Sequence, residues 1–340
     1  MVRIARHGPG ALSPRELDED DVRVRPGRST RPRSRRRPEH AGATPARVIA
    51  VDRGRYTCLT ADATEVVAVG ARELGHHGIV VGDEVALVGE LSGANDTLAR
   101  IIRVEPRATV LRRSADDTDP VERIVVANAD QLGIVTALAD PEPRPGLIDR
   151  CLVAAVDAGL RPLLVLTKSD LASAADLLAI YRPAAVPAVI LGQGDEGRGL
   201  AELRRQLAAR TTVMFGHSGV GKSTLVNALV PGADRRIGRV NVVTGRGRHT
   251  SSSAVALPLP AGGWVIDTPG VRSLGLGHID RDRLVEAFPD LAPGRAACPG
   301  DCDHTDPSTC GLDAWVTGGH AHPERLLSLR RLLTARDPDA

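Results

Sequence analysis

Gly216-His217-Ser218-Gly219-Val220-Gly221-Lys222-Ser223-Thr224 follows a short apolar run, Thr212–Phe215, and opens a stretch of helical character, Lys222–Val230. A strand that breaks into a glycine-rich turn and then a helix aims successive backbone N–H groups at an anion. The helix adds its positive N-terminal end. All nine residues are therefore read as a phosphate cradle. In such a loop Lys222 reaches the β- and γ-phosphates of a nucleotide, and the Ser223 hydroxyl ligates Mg²⁺.

Two further motifs stand at the ends of apolar runs. Upstream, Thr167-Lys168-Ser169-Asp170 follows Pro162–Leu166. The Asp170 carboxylate is placed to accept from the ring N–H and exocyclic amine of guanine, a donor pair that adenine lacks. Lys168 would lay its stem along the base. Thr167 departs from the usual Asn and is expected to lose one amide contact. Downstream, Asp267-Thr268-Pro269-Gly270 follows Trp264–Ile266; Asp267 is set to hold Mg²⁺ through water, and Gly270 to offer its N–H to the γ-phosphate. The base-reading motif thus precedes the phosphate loop, the reverse of the usual order, so the nucleotide domain is expected to be a circularly permuted GTPase domain. Of 44 lysines and arginines only Lys168 and Lys222 are lysines, and both lie inside these motifs. In so Arg-rich a chain they mark places where a compact ammonium is needed.

Outward from the motifs, strands alternate with helices from about 110 to 276. Gln131–Leu138, Pro162–Leu166, Ala188–Leu191, Thr212–Phe215 and Trp264–Ile266 read as core strands, with helices at Gly146–Ala158, Leu171–Ile180, Gly199–Ala209 and Lys222–Val230. The alternation argues a parallel sheet covered on both faces. Residues 45–109 instead carry short β-prone runs (Arg47–Val51, Tyr56–Leu59, Glu65–Val69, Glu84–Val88) punctuated by turns. They fit a small barrel of the OB type, although periodicity does not separate it from an SH3-like barrel. Residues 1–44 hold eight arginines and no acid between Val22 and Pro38, and read as a disordered basic arm suited to phosphate backbones or to solubility alone. Residues 277–340 end in a helix, Pro323–Ala335, with Leu326, Leu327, Leu329, Leu332 and Leu333 on its apolar face and Arg325, Arg330 and Arg331 among the polar positions.

No signal-peptide pattern or apolar run of spanning length occurs, so a cytoplasmic location and reduced cysteines are expected. Cys58 and Cys151 are isolated and read as small buried hydrophobes. Cys298, Cys302, His304 and Cys310 fall within thirteen residues and supply three thiolates and an imidazole, a closed set for one structural zinc ion. His320 and His322 are alternative imidazoles. Two Phe, two Tyr and two Trp leave almost no platform for stacking single-stranded bases. An Arg-rich surface suits folded RNA instead.

These motifs resemble the RsgA (YjeQ) family, the ribosome small-subunit-dependent GTPases. The resemblance is carried by Ala127-Asn128-Ala129-Asp130-Gln131, Leu147-Ile148-Asp149-Arg150, Thr167–Asp170, Gly216–Thr224, Gly245–Thr250, Asp267–Gly270 and the cysteine cluster, with Val81–Val85 and Pro106-Arg107 upstream. It implies an OB-fold, a permuted GTPase domain and a C-terminal zinc domain. It also implies a monomer that binds GTP and GDP with Mg²⁺, meets the small ribosomal subunit and its rRNA, and leaves after stimulated hydrolysis. Residue by residue it implies phosphate contacts at Gly219, Gly221, Lys222 and Ser223, base contacts at Lys168 and Asp170, and Mg²⁺ at Ser223 and Thr250. Val271 stands where many GTPases carry the Gln that orients water; the family implies His249 in that role, in a loop where a His would otherwise meet RNA or solvent. The spacing Cys298–Cys302 is one residue shorter than the family's. Gly192-Gln193-Gly194-Asp195 stands near the expected guanine-backing motif without matching it. Permutation leads the second switch into the zinc domain through Val271–Leu276, so nucleotide state is expected to move that domain as a unit. Three rival readings remain at this stage: a permuted GTPase for the large subunit, an RNA-binding switch with negligible turnover, and a zinc-dependent hydrolase.

Overall fold

The computed structural model describes residues 42–74, 78–94, 97–114, 122–193, 197–233, 254–268 and 274–334. Most of the basic arm, His249 and Thr250 with the rest of 234–253, Gly270 and Val271, and Gly194 and Asp195 lie outside the described residues.

The barrel segment supplies β1 (Thr44–Asp52), β2 (Arg55–Thr60), β3 (Glu65–Gly70), β4 (Glu84–Val88) and β5 (Ala99–Val104). They run in the order β1-β2-β3-β5-β4, and β4 returns to β1. Only the β3–β5 pair is parallel. This closed five-stranded order is the OB type, which the strand periodicity alone left open. Alternate residues fill the interior: Val48, Cys58, Val66, Ala68, Leu87 and Ile101 are buried. Burial pushes the Cys58 thiol up to about 12, as befits an inert packing residue.

A hairpin of β6 (Val110–Arg113) and β7 (Arg123–Ala127) follows, unforeseen from sequence. The main sheet then takes β8 (Gln131–Ala137), β9 (Arg161–Thr167), β10 (Ala188–Ile190), β11 (Thr211–Phe215), β12 (Val255–Pro258) and β13 (Trp264–Asp267) in the order β10-β9-β8-β11-β13-β12. All pairs are parallel except β12 on β13. Every residue of β8 is buried, as expected of a central strand covered on both faces. Through Ala50 opposite Val255, β1 of the barrel also pairs with β12, so barrel and sheet are continuous.

Helices α1 (Pro145–Asp157) and α2 (Ala175–Tyr181) cover one face, burying Ile148, Cys151, Leu152, Leu177 and Tyr181. Helices α3 (Arg198–Leu207) and α4 (Lys222–Leu229) cover the other with Leu203, Leu207, Leu225 and Leu229. Pro145 starts α1, its fixed φ suited to the first turn. The helix expected from Leu171 begins only at Ala175. Ser173 accepts the Ala175 N–H (3.1 Å), the side-chain competition that delays helix starts.

The C-terminal region adds α5 (Arg281–Glu286), a 3-10 turn (Ala292–Ala297), α6 (Gly311–Thr317) and α7 (Pro323–Thr334). Asp280 caps α5 by accepting the Arg283 N–H (2.9 Å). Leu326, Leu329, Leu332 and Leu333 of α7 enter the same core as α1, whereas Leu327, expected on that face, points away from it and is exposed. Arg325, which periodicity puts among the polar positions, is instead buried, for a reason found in its partners below. The chain leading into this region is pinned to the β6 hairpin: Gly275 pairs with Ser114, whose hydroxyl accepts the Gly277 N–H (2.8 Å).

Candidate functional site

Three motifs arrive at the carboxyl ends of β9, β11 and β13, where open α/β sheets bind ligands. Gly219 and Gly221 take φ of +84° and +89°, a region L side chains rarely adopt, which curls the loop before α4. Ser218, Gly219, Ser223 and Thr224 are exposed. The Nδ1 of His217 sits 3.0 Å from the Ser218 carbonyl. As α4 begins at Lys222, its first N–H groups have no intrahelical partner to meet.

Lys222 lies between the sheet and the third motif. Its Nζ is 3.3 Å from Asp267 Oδ1 and donates to the Thr268 carbonyl at 3.3 Å. The Thr268 hydroxyl donates to the Met214 carbonyl (3.0 Å), which fixes that motif against β11. Asp267 Oδ1 has no hydrogen bond of its own, so a buried acid and a cation face each other at the point where phosphate and Mg²⁺ chemistry would meet.

The base-reading motif is bound to the phosphate loop. Buried Thr167 donates its hydroxyl to the Val220 carbonyl at 2.7 Å, with the Thr136 carbonyl 3.3 Å away. Threonine thus supplies a tie between the two motifs despite lacking an amide. Lys168 donates to the Asp140 carbonyl. Asp170 Oδ1 accepts the Gln193 N–H (2.9 Å). A Cβ at Gly192 would lie 2.3 Å from Ser169 Oγ, so only glycine permits that approach. Gly192-Gln193 therefore stands beside Asp170, where sequence reasoning looked for a guanine-backing segment.

The four proposed zinc ligands come together, their ligand atoms all within 4.8 Å of one another. His304 Nδ1 is 3.6, 3.5 and 3.7 Å from the sulfurs of Cys298, Cys302 and Cys310. Cys298 and Cys310 sulfurs are 4.0 Å apart. Tetrahedral zinc, with Zn–S of about 2.3 Å and Zn–N of about 2.0–2.1 Å, has N···S edges of about 3.6 Å and S···S edges of about 3.8 Å. The residues fit the ion, and the short Cys298–Cys302 loop does not keep its ends apart. Burial, then the Arg295 charge, lowers His304 and keeps its imidazole neutral, as a ligand must be. Burial and the neighbouring thiols push Cys310 up to about 12, so without a cation the cluster disfavours thiolate. His320 lies outside the cluster, stacked on Trp315 at 4.1 Å, and His322 Nδ1 accepts the Glu324 N–H (3.2 Å).

Other motif residues turn out to join elements. Asn128 Oδ1 accepts the Ala108 N–H (2.8 Å) and its Nδ2 donates to the Gly82 carbonyl (3.0 Å), bracing the barrel against β7. Asp130 accepts the Thr211 N–H (2.7 Å). Asp149 meets Arg325 of α7, which also holds Asp290. Burial raises Asp149 above the usual carboxylate range, against the opposing pull of Arg325. Sequence reasoning missed this bridge; the one available signal was an acid inside the apolar run of α1.

Residues 104–277 match the sequence profile described as RsgA GTPase. The chain is 38% identical over 264 residues to the small ribosomal subunit biogenesis GTPase RsgA of Pseudomonas aeruginosa, spanning 76% of each chain. It is 39% identical over 258 residues to the protein of that name from Gemmatimonas aurantiaca, spanning 75% of this chain and 83% of that one. Among solved structures, YjeQ from Thermotoga maritima is similar with a TM-score of 0.66 at 26% identity, covering 86% of this chain and 98% of that one. YloQ, a circularly permuted GTPase, shares the fold with a TM-score of 0.64 at 23% identity, over 90% of this chain and all of that one.

Proposed function

Because the chain belongs to the RsgA GTPase family, we propose that it binds the maturing small ribosomal subunit, hydrolyses GTP to GDP and phosphate on subunit stimulation, and then dissociates. GTP hydrolysis is the family's reaction, and the chain is a GTP-hydrolysing enzyme. The observation that most supports the fuller reading is the joining of three motifs at neighbouring strand ends, with Thr167 on Val220 and Lys222 beside Asp267.

In this reading Gly216–Thr224 cradle the phosphates, Lys168 and Asp170 read guanine, and Ser223, Thr250 and Asp267 serve Mg²⁺. When bound, that ion neutralises charge developing on the β- and γ-phosphates. Lys222 contributes a fixed positive charge to the same oxygens. Gly270 offers its N–H to the γ-phosphate, and His249 orients the attacking water in place of Val271. His249→Ala is expected to abolish subunit-stimulated hydrolysis while GTP affinity is kept; unchanged stimulated turnover removes the role. Cys298, Cys302, His304 and Cys310 would hold one zinc, whose four protein ligands make it a structural staple. Basic arm, OB barrel, GTPase domain and zinc domain divide at 44, 109 and 276, and the protein works as a cytoplasmic monomer.

The test is GTP and ATP hydrolysis with Mg²⁺, by the protein alone and with each purified ribosomal subunit. Turnover of GTP stimulated by the small subunit alone supports the reading. Stimulation by the large subunit, or GTP binding with no stimulation, replaces it with one of the rivals.

A further inference from the structure

Arg325 is 1% exposed at its side chain, and both carboxylates that share it are fully buried. Its Nε and Nη2 donate to the two oxygens of Asp290 at 3.0 and 2.8 Å, and its Nη1 donates to Asp149. The guanidinium also lies over Phe288 at 4.4 Å and Tyr181 at 5.4 Å. A forked cation between two buried acids has a narrow range of tolerated positions, and loss of one partner leaves a charge that the interior cannot solvate. Such a joint transmits displacement instead of absorbing it.

Each side of the joint leads to a different site. Five residues along α7, about 7.5 Å at the helical rise, Arg330 Nε donates to the carbonyl of the zinc-cluster residue His304 at 3.1 Å. Arg330 also grips Asp313 of α6, and Trp315 of α6 donates to the Asp290 carbonyl at 2.8 Å. The Gly311 N–H that opens α6 donates to Cys298 Sγ (3.2 Å). On the other side, Leu147 and Ile148, next to Asp149 on α1, line a cavity together with Phe215 at the end of β11 and Gly216 and Val220 of the phosphate loop. Tyr181 fixes that end of α1 by donating to the Pro145 carbonyl (3.1 Å).

We propose that the zinc cluster and the phosphate loop are energetically coupled through α7 and α1, with Arg325 the positioning residue at their joint. The inference rests on the reading of Gly216–Thr224 as the nucleotide site and of Cys298, Cys302, His304 and Cys310 as the zinc site. Coupling between two sites is reciprocal, and of ordinary size it changes each affinity by roughly 5- to 150-fold. Zinc therefore changes nucleotide affinity, and nucleotide changes zinc affinity, by the same factor and in the same direction.

The experiment measures the GDP dissociation constant of the full chain, zinc-loaded and after zinc removal, and the zinc affinity with and without GDP by chelator competition. The expected result is an equal factor of at least about fivefold in both directions. Arg325→Lys keeps the charge but not the fork, and Asp149→Asn keeps the shape but not the charge; in both, the factor is expected to approach one. A purely structural defect lowers loaded and stripped affinities alike and leaves their ratio unchanged. Should a variant fail to fold, the two wild-type measurements decide alone. Binding of both ligands with a ratio near one overturns the inference. Failure to bind GDP or zinc at all overturns the site reading beneath it, and the inference with it.

Discussion

Thr167 has one hydroxyl where an amide side chain would offer two polar groups, and it spends that donor on the phosphate loop through Val220. The base motif is thereby held to the loop by a residue that need not touch the nucleotide. Thr167→Val keeps the shape and deletes the donor, leaving a buried carbonyl unpaired at a cost of about 1–3 kcal/mol. GDP and GTP affinity should fall about tenfold or more, with kcat under saturating GTP little changed and Thr167→Ser close to wild type. Equilibrium titration of the three proteins checks this; unaltered affinity in Thr167→Val would mean that Val220 needs no such tether. The motif itself was legible because strand, loop and acid follow one another in sequence. The tether was not, since Thr167 and Val220 are joined only when β9 and β11 flank β8.

Helices α1, α3, α4 and α7 announced themselves by apolar spacing, and the short strands β10 and β13 by apolar runs placed between helices and motifs. The six-residue α5 is too short for a period to be counted, and β12, a four-residue strand ending in Pro258, has no motif or helix beside it to mark it. The barrel's strands could be read but not its closure, because alternation gives faces and not neighbours. Arg325 was misplaced for a related reason: on a helix wheel an arginine marks solvent unless buried acids on other elements await it. At the end of α1, Asp157 is held below the usual carboxylate range, first by the His278 ring, 3.7 Å from its Oδ2, and then by Arg283 at 2.7 Å. A depressed carboxylate stabilises the fold above its unfolded pKa, about 3.9, and that contribution is lost as pH falls through its lower folded value. Asp157→Asn should therefore be less stable near neutrality and show a shallower acid limb, the two curves converging at the lowest pH. Denaturant unfolding at a series of pH values tests it; parallel curves would assign the stability of this corner to packing.

At the scale of the described molecule, barrel and nucleotide sheet are joined by one strand pairing. β1 pairs with β12, Arg47 reaches Thr211 and lies 5.3 Å over Trp264, and Asn128 braces the barrel against β7. Barrel and sheet are expected to unfold together. Tryptophan fluorescence, with Trp264 isolated by Trp315→Phe, and far-ultraviolet circular dichroism should give coincident transitions where Asn128 is kept, and Asn128→Ala should lower stability by about 1–3 kcal/mol and separate the probes. Separate transitions with Asn128 kept would show that the β1–β12 pairing does not bind the two parts into one cooperative unit. The scarcity of lysine has a practical side at this scale. Lys168 and Lys222 keep 27% and 13% of their side chains exposed, and both sit in the nucleotide motifs. A lysine-specific protease therefore has only that site to attack. Occupancy by nucleotide would be written into the lysine cleavage pattern of the entire protein, with no other lysine to cut.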